Sequence, residues 1–159
     1  MSAATIPQLY ARVRSGLALP QRDPLTYWRF AVPRLREAFG LFTGADPIDE
    51  LHARACNKGT KTESEAAYGL ACLQKRSHLD GVPLPQWRGK VEGVQLVLDY
   101  KQQLLSVQPA YERLLGHWPH HVRREGESFS SLHVMPVGGS ATNERDWSVM
   151  HFLSQKNLT

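Results

Sequence analysis

The segment from Ala55 to Thr62 holds the residues best suited to chemistry, in the order Ala55-Cys56-Asn57-Lys58-Gly59-Thr60-Lys61-Thr62. It matches the phosphate-binding pattern G-x-x-x-x-G-K-[ST] at Lys61 and Thr62, while Ala55 and Thr60 stand where glycines are usual. In such a loop, backbone N–H groups surround a phosphate and the following helix adds its positive N-terminal dipole. Lys61 would then reach the outer phosphates, and the Thr62 hydroxyl would bind Mg²⁺.

The same eight residues have a second interpretation, a solvated lysine-rich turn that leads into a helix. Short Lys-Thr pairs are common, and a pattern relaxed at both glycines matches many unrelated loops. Gly59, displaced by one position, and the small Ala55 still permit a tight turn. The elements around the loop therefore decide between the two interpretations.

The predicted elements around this loop are those that a phosphate site requires. Ile48–Cys56 is short and semi-apolar, which predicts a strand, and Asn57–Thr60 forms the loop. Lys61–Lys75 predicts a helix, with one broad apolar face made by Ala66, Ala67, Leu70, Ala71 and Leu73. Strand, turn and helix in this order favour the phosphate-loop interpretation.

The rest of the chain predicts an α/β fold. Gly93–Tyr100 reads as a buried strand, and Lys101–Gly116 as a helix that Pro109 kinks. A basic, histidine-rich turn is expected at 117–124, followed by a hairpin of strands Ser131–Val137 and Ser148–Gln155. The order β-α-β-α-β-β indicates an α/β layout with a right-handed crossover between the first two strands.

Composition sets broad limits on the function. The chain has 159 residues, 42% of them hydrophobic and 21% charged, which suits one globular domain. A net charge of +4 tolerates a polyanionic partner without requiring one. We expect no membrane association, because no apolar run approaches 18 residues and the N-terminus lacks a signal-peptide pattern. Cys56 and Cys72 have no paired partners nearby, which predicts a reduced cytoplasmic compartment.

The order of segments resembles the N-terminal ATPase domain of the large terminase subunit of tailed bacteriophages, over about residues 45–157. Ala55–Thr62 is similar to that family's divergent phosphate loops, and Val97–Gln102 to its second strand and the helix after it. Ser131–Val137 and Trp147–Gln155 resemble the hairpin that the family inserts before its acidic strand. The resemblance implies a P-loop NTPase-like partial sheet with flanking helices and an inserted β-hairpin. An N-terminal helical or irregular segment would span residues 1–44, and the partial ATPase domain residues 45–159.

The resemblance also implies a function in DNA packaging. ATP and Mg²⁺ would bind at residues 55–62, with Lys58 as an additional phosphate contact. Double-stranded DNA, the portal and the small terminase subunit would be the partners in a full-length motor, in the host cytoplasm. The family continues with a strand ending in Asp-Glu and then a nuclease domain. This sequence reaches Thr159 after the hairpin, so we expect poor or modest nucleotide binding and negligible hydrolysis.

Two other candidate sites carry weaker signals. Asp99 ends an apolar run, where an acid either supports Mg²⁺ or caps a strand end or helix. His117, His120 and His121 lack regular ligand spacing, so no metal site is expected. The alternative function is a non-catalytic α/β interaction module, or a prophage remnant, in which the loop is only a turn and no nucleotide binds.

Overall fold

The structure, a computed structural model, describes residues 33–43 and 61–155, with side chains from residues 37 and 62 onward. The predicted strand Ile48–Cys56 and the loop residues Ala55, Cys56, Asn57, Lys58, Gly59 and Thr60 lie outside the described residues. Most of the proposed segment 1–44 lies outside them as well.

Along the described chain, two helices are followed by three strands, two further helices and a last group of three strands. The helices are α1 (Pro33–Gly40), α2 (Lys61–Leu73), α3 (Tyr100–Gln102) and α4 (Gln108–Leu115), with a π-helical segment, Gln103–Val107, joining the last two. The strands are β1 (His78–Leu79), β2 (Val82–Pro83), β3 (Glu92–Val97), β4 (His120–Glu125), β5 (Ser128–Val134) and β6 (Ser148–Ser154). Short 3₁₀ turns occupy Leu41–Thr43 and Glu144–Asp146.

A mixed sheet of four strands, in the order β3-β6-β5-β4, organises the fold. β3 and β6 are parallel, whereas β6–β5 and β5–β4 are antiparallel, so β3, β6 and β4 all point the same way. β1 and β2 form a separate two-stranded pair. The α/β class predicted from the sequence is confirmed.

The predicted hairpin is confirmed in pairing and becomes part of the main sheet. Leu132 faces Met150 and Val134 faces Ser148 across the β5–β6 ladder. The second strand of this hairpin, β6, also forms the parallel pair with β3, so it occupies an inner position between β3 and β5.

Helices α2 and α4 cover one face of the sheet and enclose the core. All five apolar residues predicted for α2 are buried, as are Val107, Tyr111, Leu114 and Leu115 from the π segment and α4. From the sheet, Leu132, Val134, Met150 and Phe152 meet them. The Tyr111 and Phe152 rings pack edge to face with centroids 5.3 Å apart, a favoured aromatic geometry.

The predicted helix from Lys101 to Gly116 is confirmed, but its hydrogen-bond pattern changes at the proline. The Gln108 N–H bonds to the carbonyl of Gln103, five residues back, and α4 then begins with Pro109 in its first turn. Proline is tolerated there because the N–H it lacks would have no intrahelical partner in a first turn.

Two sequence-based expectations are wrong. β3 is covered on one face only: Val94, Leu96 and the following Leu98 are 58%, 61% and 64% exposed, whereas Val97 is buried. An apolar run of this length predicts a strand but does not show whether both faces are covered. The basic region after α4 is also not simply a turn, because β4 begins at His120 and pairs with β5 through six register positions.

The described helices include none that is both long and apolar enough to cross a membrane.

Candidate functional site

Helix α2 begins at the two residues that the sequence singles out, Lys61 and Thr62. The predicted helix start is therefore confirmed. Thr62 is partly buried, and the Lys61 side chain lies outside the described residues. Glu63, in the first turn, lies 3.3 Å from the Arg113 guanidinium, which offsets its negative charge beside the helix N-terminus.

α2 runs antiparallel to β3, so its N-terminus points to the edge where β3 and β6 end. Near its start, the Glu65 carboxylate accepts a hydrogen bond from Gln95 in mid-β3, at 3.1 Å. Beyond its other end, the Gln74 carbonyl accepts a hydrogen bond from the Val137 N–H, at 2.7 Å, next to where β6 starts. We call the edge formed by the last residues of β3, β6 and β4 the carboxyl edge.

The helix α3 also begins at the carboxyl edge, and Asp99 is its N-cap. The Asp99 Oδ1 accepts a hydrogen bond from the Gln102 N–H at 2.8 Å, and the Gln102 Oε1 accepts one from the Leu98 N–H at 2.8 Å. Of the two roles open to Asp99 from sequence, the structure shows the helix cap. This leaves the second carboxylate oxygen, Oδ2, outside the capping bond.

A cleft of about 320 Å³ opens beside Asp99 at the carboxyl edge. Carboxylates, a lysine and serine hydroxyls surround a floor of two phenylalanines, and the lining comprises Asp99, Tyr100, Lys101, Gln103, Glu125, Ser128, Phe129, Ser130, Phe152 and Ser154. Its volume is that of a small-molecule pocket. In sheets with parallel strands, ligands bind outside the carboxyl ends of those strands, as this cleft would allow.

Two buried glutamines fix the wall of the cleft. Gln108 accepts a hydrogen bond from the Phe129 N–H at 2.8 Å and donates one to the Glu127 carbonyl at 3.3 Å. Gln103 donates to the Phe129 carbonyl at 2.5 Å. The helix is thereby attached to the start of β5, and the cleft between them keeps its shape.

Comparisons with known protein families, curated proteins and solved structures found no match.

The one described cysteine is not a nucleophile. Burial raises the pKa of the Cys72 thiol to about 12, and the neighbouring Tyr68 opposes this shift only in part. A thiol is reactive as the thiolate, so this side chain is inert at neutral pH.

The described histidines do not form a metal site. Over residues 33–43 and 61–155, no three His, Cys, Asp or Glu side chains are arranged to hold an ion. His120 lies with its Nδ1 2.6 Å from the Trp118 carbonyl.

Most residues of the cleft were not singled out from the sequence. Lys101, Glu125, Ser128 and Ser154 come together only because three strands end at one edge of the sheet. Polar residues immediately after predicted strands are the signal that could have found them. That signal was missing for Glu125, because β4 itself was not predicted.

Proposed function

We propose that this chain binds ATP with Mg²⁺ at the carboxyl edge, as a terminase-like ATPase domain of a DNA-packaging motor. Lys61 and Thr62 would contact the phosphates and the ion, together with residues 55–60 of the preceding loop. In a full-length motor, its partners would be double-stranded DNA, the portal and a small terminase subunit. We also propose that the fold is a partial P-loop NTPase-like sheet and that β5 and β6 are its inserted hairpin.

The orientation of α2 is the observation that supports the proposal most. A phosphate loop needs a helix whose N-terminus lies beyond the carboxyl ends of parallel strands. α2 meets this requirement, because it starts at Lys61 and runs antiparallel to the parallel pair β3 and β6. A solvated turn leading into a helix would place no such constraint on direction.

The cleft beside Asp99 supports a ligand at the same edge. Lys101 supplies a positive charge, and the hydroxyls of Ser128 and Ser154 supply polar contacts. The carboxylates of Asp99 and Glu125 would bind a magnesium ion that also contacts phosphate oxygens.

Nucleotide-dependent thermal stability tests the proposal. A ligand that binds only the folded chain stabilises it by about 2.7 kcal/mol at a hundredfold excess over Kd. We expect ATP with Mg²⁺ to raise Tm, and Lys61→Ala to abolish the rise. Lys90→Ala removes a lysine that lies beside Glu92 at the start of β3, far from the carboxyl edge, and should leave the rise unchanged. An unchanged Tm in the wild-type chain would contradict the proposal.

One observation favours the second candidate, a non-catalytic interaction module. Within the described residues β3 pairs with β6 alone, and the side chains of Val94 and Leu96, and of Leu98 just after the strand, are exposed. An edge strand of this kind can add an extended apolar segment of a partner protein through main-chain hydrogen bonds. Leu96→Lys would then abolish partner binding, and ATP would leave Tm unchanged.

A further inference from the structure

The face of the sheet away from α2 and α4 carries two rows of side chains that cross all four strands. Directly opposed residues share a face, and so do residues two apart on one strand. The register therefore places these side chains together in the rows Glu92–Val149–His133–His121 and Val94–His151–Ser131–Arg123. We call these eight residues the outer face.

Three imidazoles lie close together on the outer face. The rings of His121 and His133 meet edge to face, with centroids 5.9 Å apart. The His133 Nε2 lies 3.1 Å from the Ser131 hydroxyl, and Ser131 is directly opposite His151 on β6. His121 and His151 are exposed, so their rings are open to a ligand.

The outer face and the adjoining Lys90 together carry a positive charge. Arg123 is exposed and stands beside Ser131 in the second row. Glu92 is the only acid in the two rows, and Lys90 pairs with it at 3.4 Å. Arg123 and Glu92 cancel within the eight residues, so Lys90 gives this surface its net positive charge when the imidazoles are neutral.

We propose that the outer face binds single-stranded nucleic acid, with Arg123 contacting phosphate and the exposed imidazoles stacking on bases. The outer face shares no residue with the carboxyl edge, so nucleic-acid binding there does not depend on ATP binding at that edge.

The spread of these groups favours a polymer over a small anion. Neighbouring strands are about 4.8 Å apart, so Arg123 and His151, two strands apart, are separated by about 10 Å. Over this spread, an extended strand can place a phosphate on Arg123 and an unpaired base on His151, whereas a free anion offers no base to stack. Exposed rings on a sheet face can stack on unpaired bases, and histidine and arginine are among the side chains that do so.

The pKa of His133 ties this binding to pH. Burial lowers that pKa, and the nearby Arg123, His121, Lys90 and His151 lower it further. Cations that oppose protonation in the free protein are neutralised when a phosphate strand lies over them. Protonation and binding then favour each other, so affinity should increase as pH falls from 8 to 6.

Fluorescence anisotropy with a labelled single-stranded oligonucleotide of about 15 nucleotides tests the proposal on the full chain. We expect Kd to fall about tenfold from pH 8 to pH 6 at constant ionic strength. Arg123→Gln should weaken binding about three- to tenfold and reduce the slope of log K against log salt by about 0.7, the value for one phosphate contact to a single strand. His133→Gln should weaken the pH dependence, because the titration of His133 is coupled to binding.

Arg124→Gln is the matched control, because the same charge is removed one residue away on the other side of the sheet. Arg124 lies over the Phe129 ring at 4.8 Å and 3.5 Å from Glu112 of α4. Arg124→Gln should change Kd less than twofold, and thermal unfolding should show that this variant is folded. Equal weakening by both arginine variants would overturn the proposal, as would duplex DNA binding at least as tightly as the single strand. Binding to anionic vesicles without binding to the oligonucleotide would also overturn it.

Discussion

At the scale of single residues, the chemistry of the carboxyl edge depends on what each polar side chain already contacts. Asp99 uses one oxygen to cap α3, and Glu63 is held by Arg113. Both acids thus have structural partners and would remain in place without a ligand. Lys101 and Ser154 line the cleft.

Two substitutions of Asp99 distinguish helix capping from ion binding. Asp99→Ala should lower the free energy of unfolding by about 1 kcal/mol, because alanine cannot accept the hydrogen bond from the Gln102 N–H. Asp99→Asn should be close to wild type, since asparagine is an equally good N-cap. Urea denaturation measures both variants.

The same pair of variants reports on magnesium. If Asp99→Asn keeps its stability but loses the effect of ATP with Mg²⁺ on Tm, the carboxylate contributes to the ion site as well as to the cap. If it keeps both, the side chain acts as a cap alone.

At the scale of elements, glutamine contacts join the helix after β3 to the start of β5. Gln108 is only 5% exposed, and both ends of its amide bond to backbone groups of the β4–β5 turn and β5. Backbone groups in such a position need a partner, because an unsatisfied buried N–H is costly.

Gln108→Ala should therefore destabilise the chain by about 1–3 kcal/mol, the cost of leaving the Phe129 N–H without its partner. The exposed Glu112→Ala, in the same helix, should change the unfolding free energy by less than about 0.5 kcal/mol. Chemical denaturation of both variants measures the difference, and a Gln108→Ala variant as stable as Glu112→Ala would contradict this role.

Sequence periodicity predicts several elements correctly. It fails for strands whose side chains are mostly exposed. The strand predicted at Ser148–Gln155 is β6 at Ser148–Ser154, and the helix from Lys61 starts as predicted. β4 was missed because five of its six side chains are exposed and many are basic, so it has no alternation of apolar and polar residues. The exposure of β3 could not be predicted, since an apolar run has the same pattern in an edge strand and in a central one.

The candidate sites show the same limit. Lys61 and Thr62 follow from a local motif, which sequence alone reveals. The cleft and the outer face are assembled by strand order and register, with partners such as Arg123 and His151 separated by 28 positions in the chain. Neither strand order nor register is readable from one sequence.

At the scale of the whole molecule, the core sets the response to alkaline pH. Burial raises the pKa of Cys72 from 9.0 to about 12 and raises those of Tyr68 and Tyr111 above their ordinary range. The unfolded chain loses these protons at lower pH than the folded chain, so the stability they contribute is present below about pH 9 and declines as pH rises toward 12.

We therefore expect the urea midpoint to decrease steadily above pH 9. Tyr111→Phe removes one of the three ionisations, together with a hydrogen bond to Gln95 at 3.2 Å. This variant should be somewhat less stable at pH 8 and should lose less stability between pH 9 and 10.5 than the wild-type chain. A steeper decline in the variant would show that Tyr111 is not one of the groups responsible.

The two proposed sites lie on different parts of the sheet. ATP is proposed at the carboxyl edge and single-stranded nucleic acid on the outer face, and neither site shares a residue with the other. Each proposal can therefore fail without the other.

Amide chemical shifts on titration with ATP and Mg²⁺ show directly where on the sheet the nucleotide binds. We expect the largest shifts at the carboxyl edge, at Thr62, Asp99 and Ser154, with little change at Trp118 and Val137 near the opposite edge. Shifts concentrated at that opposite edge, or none at saturating nucleotide, would contradict a nucleotide site where α2 begins.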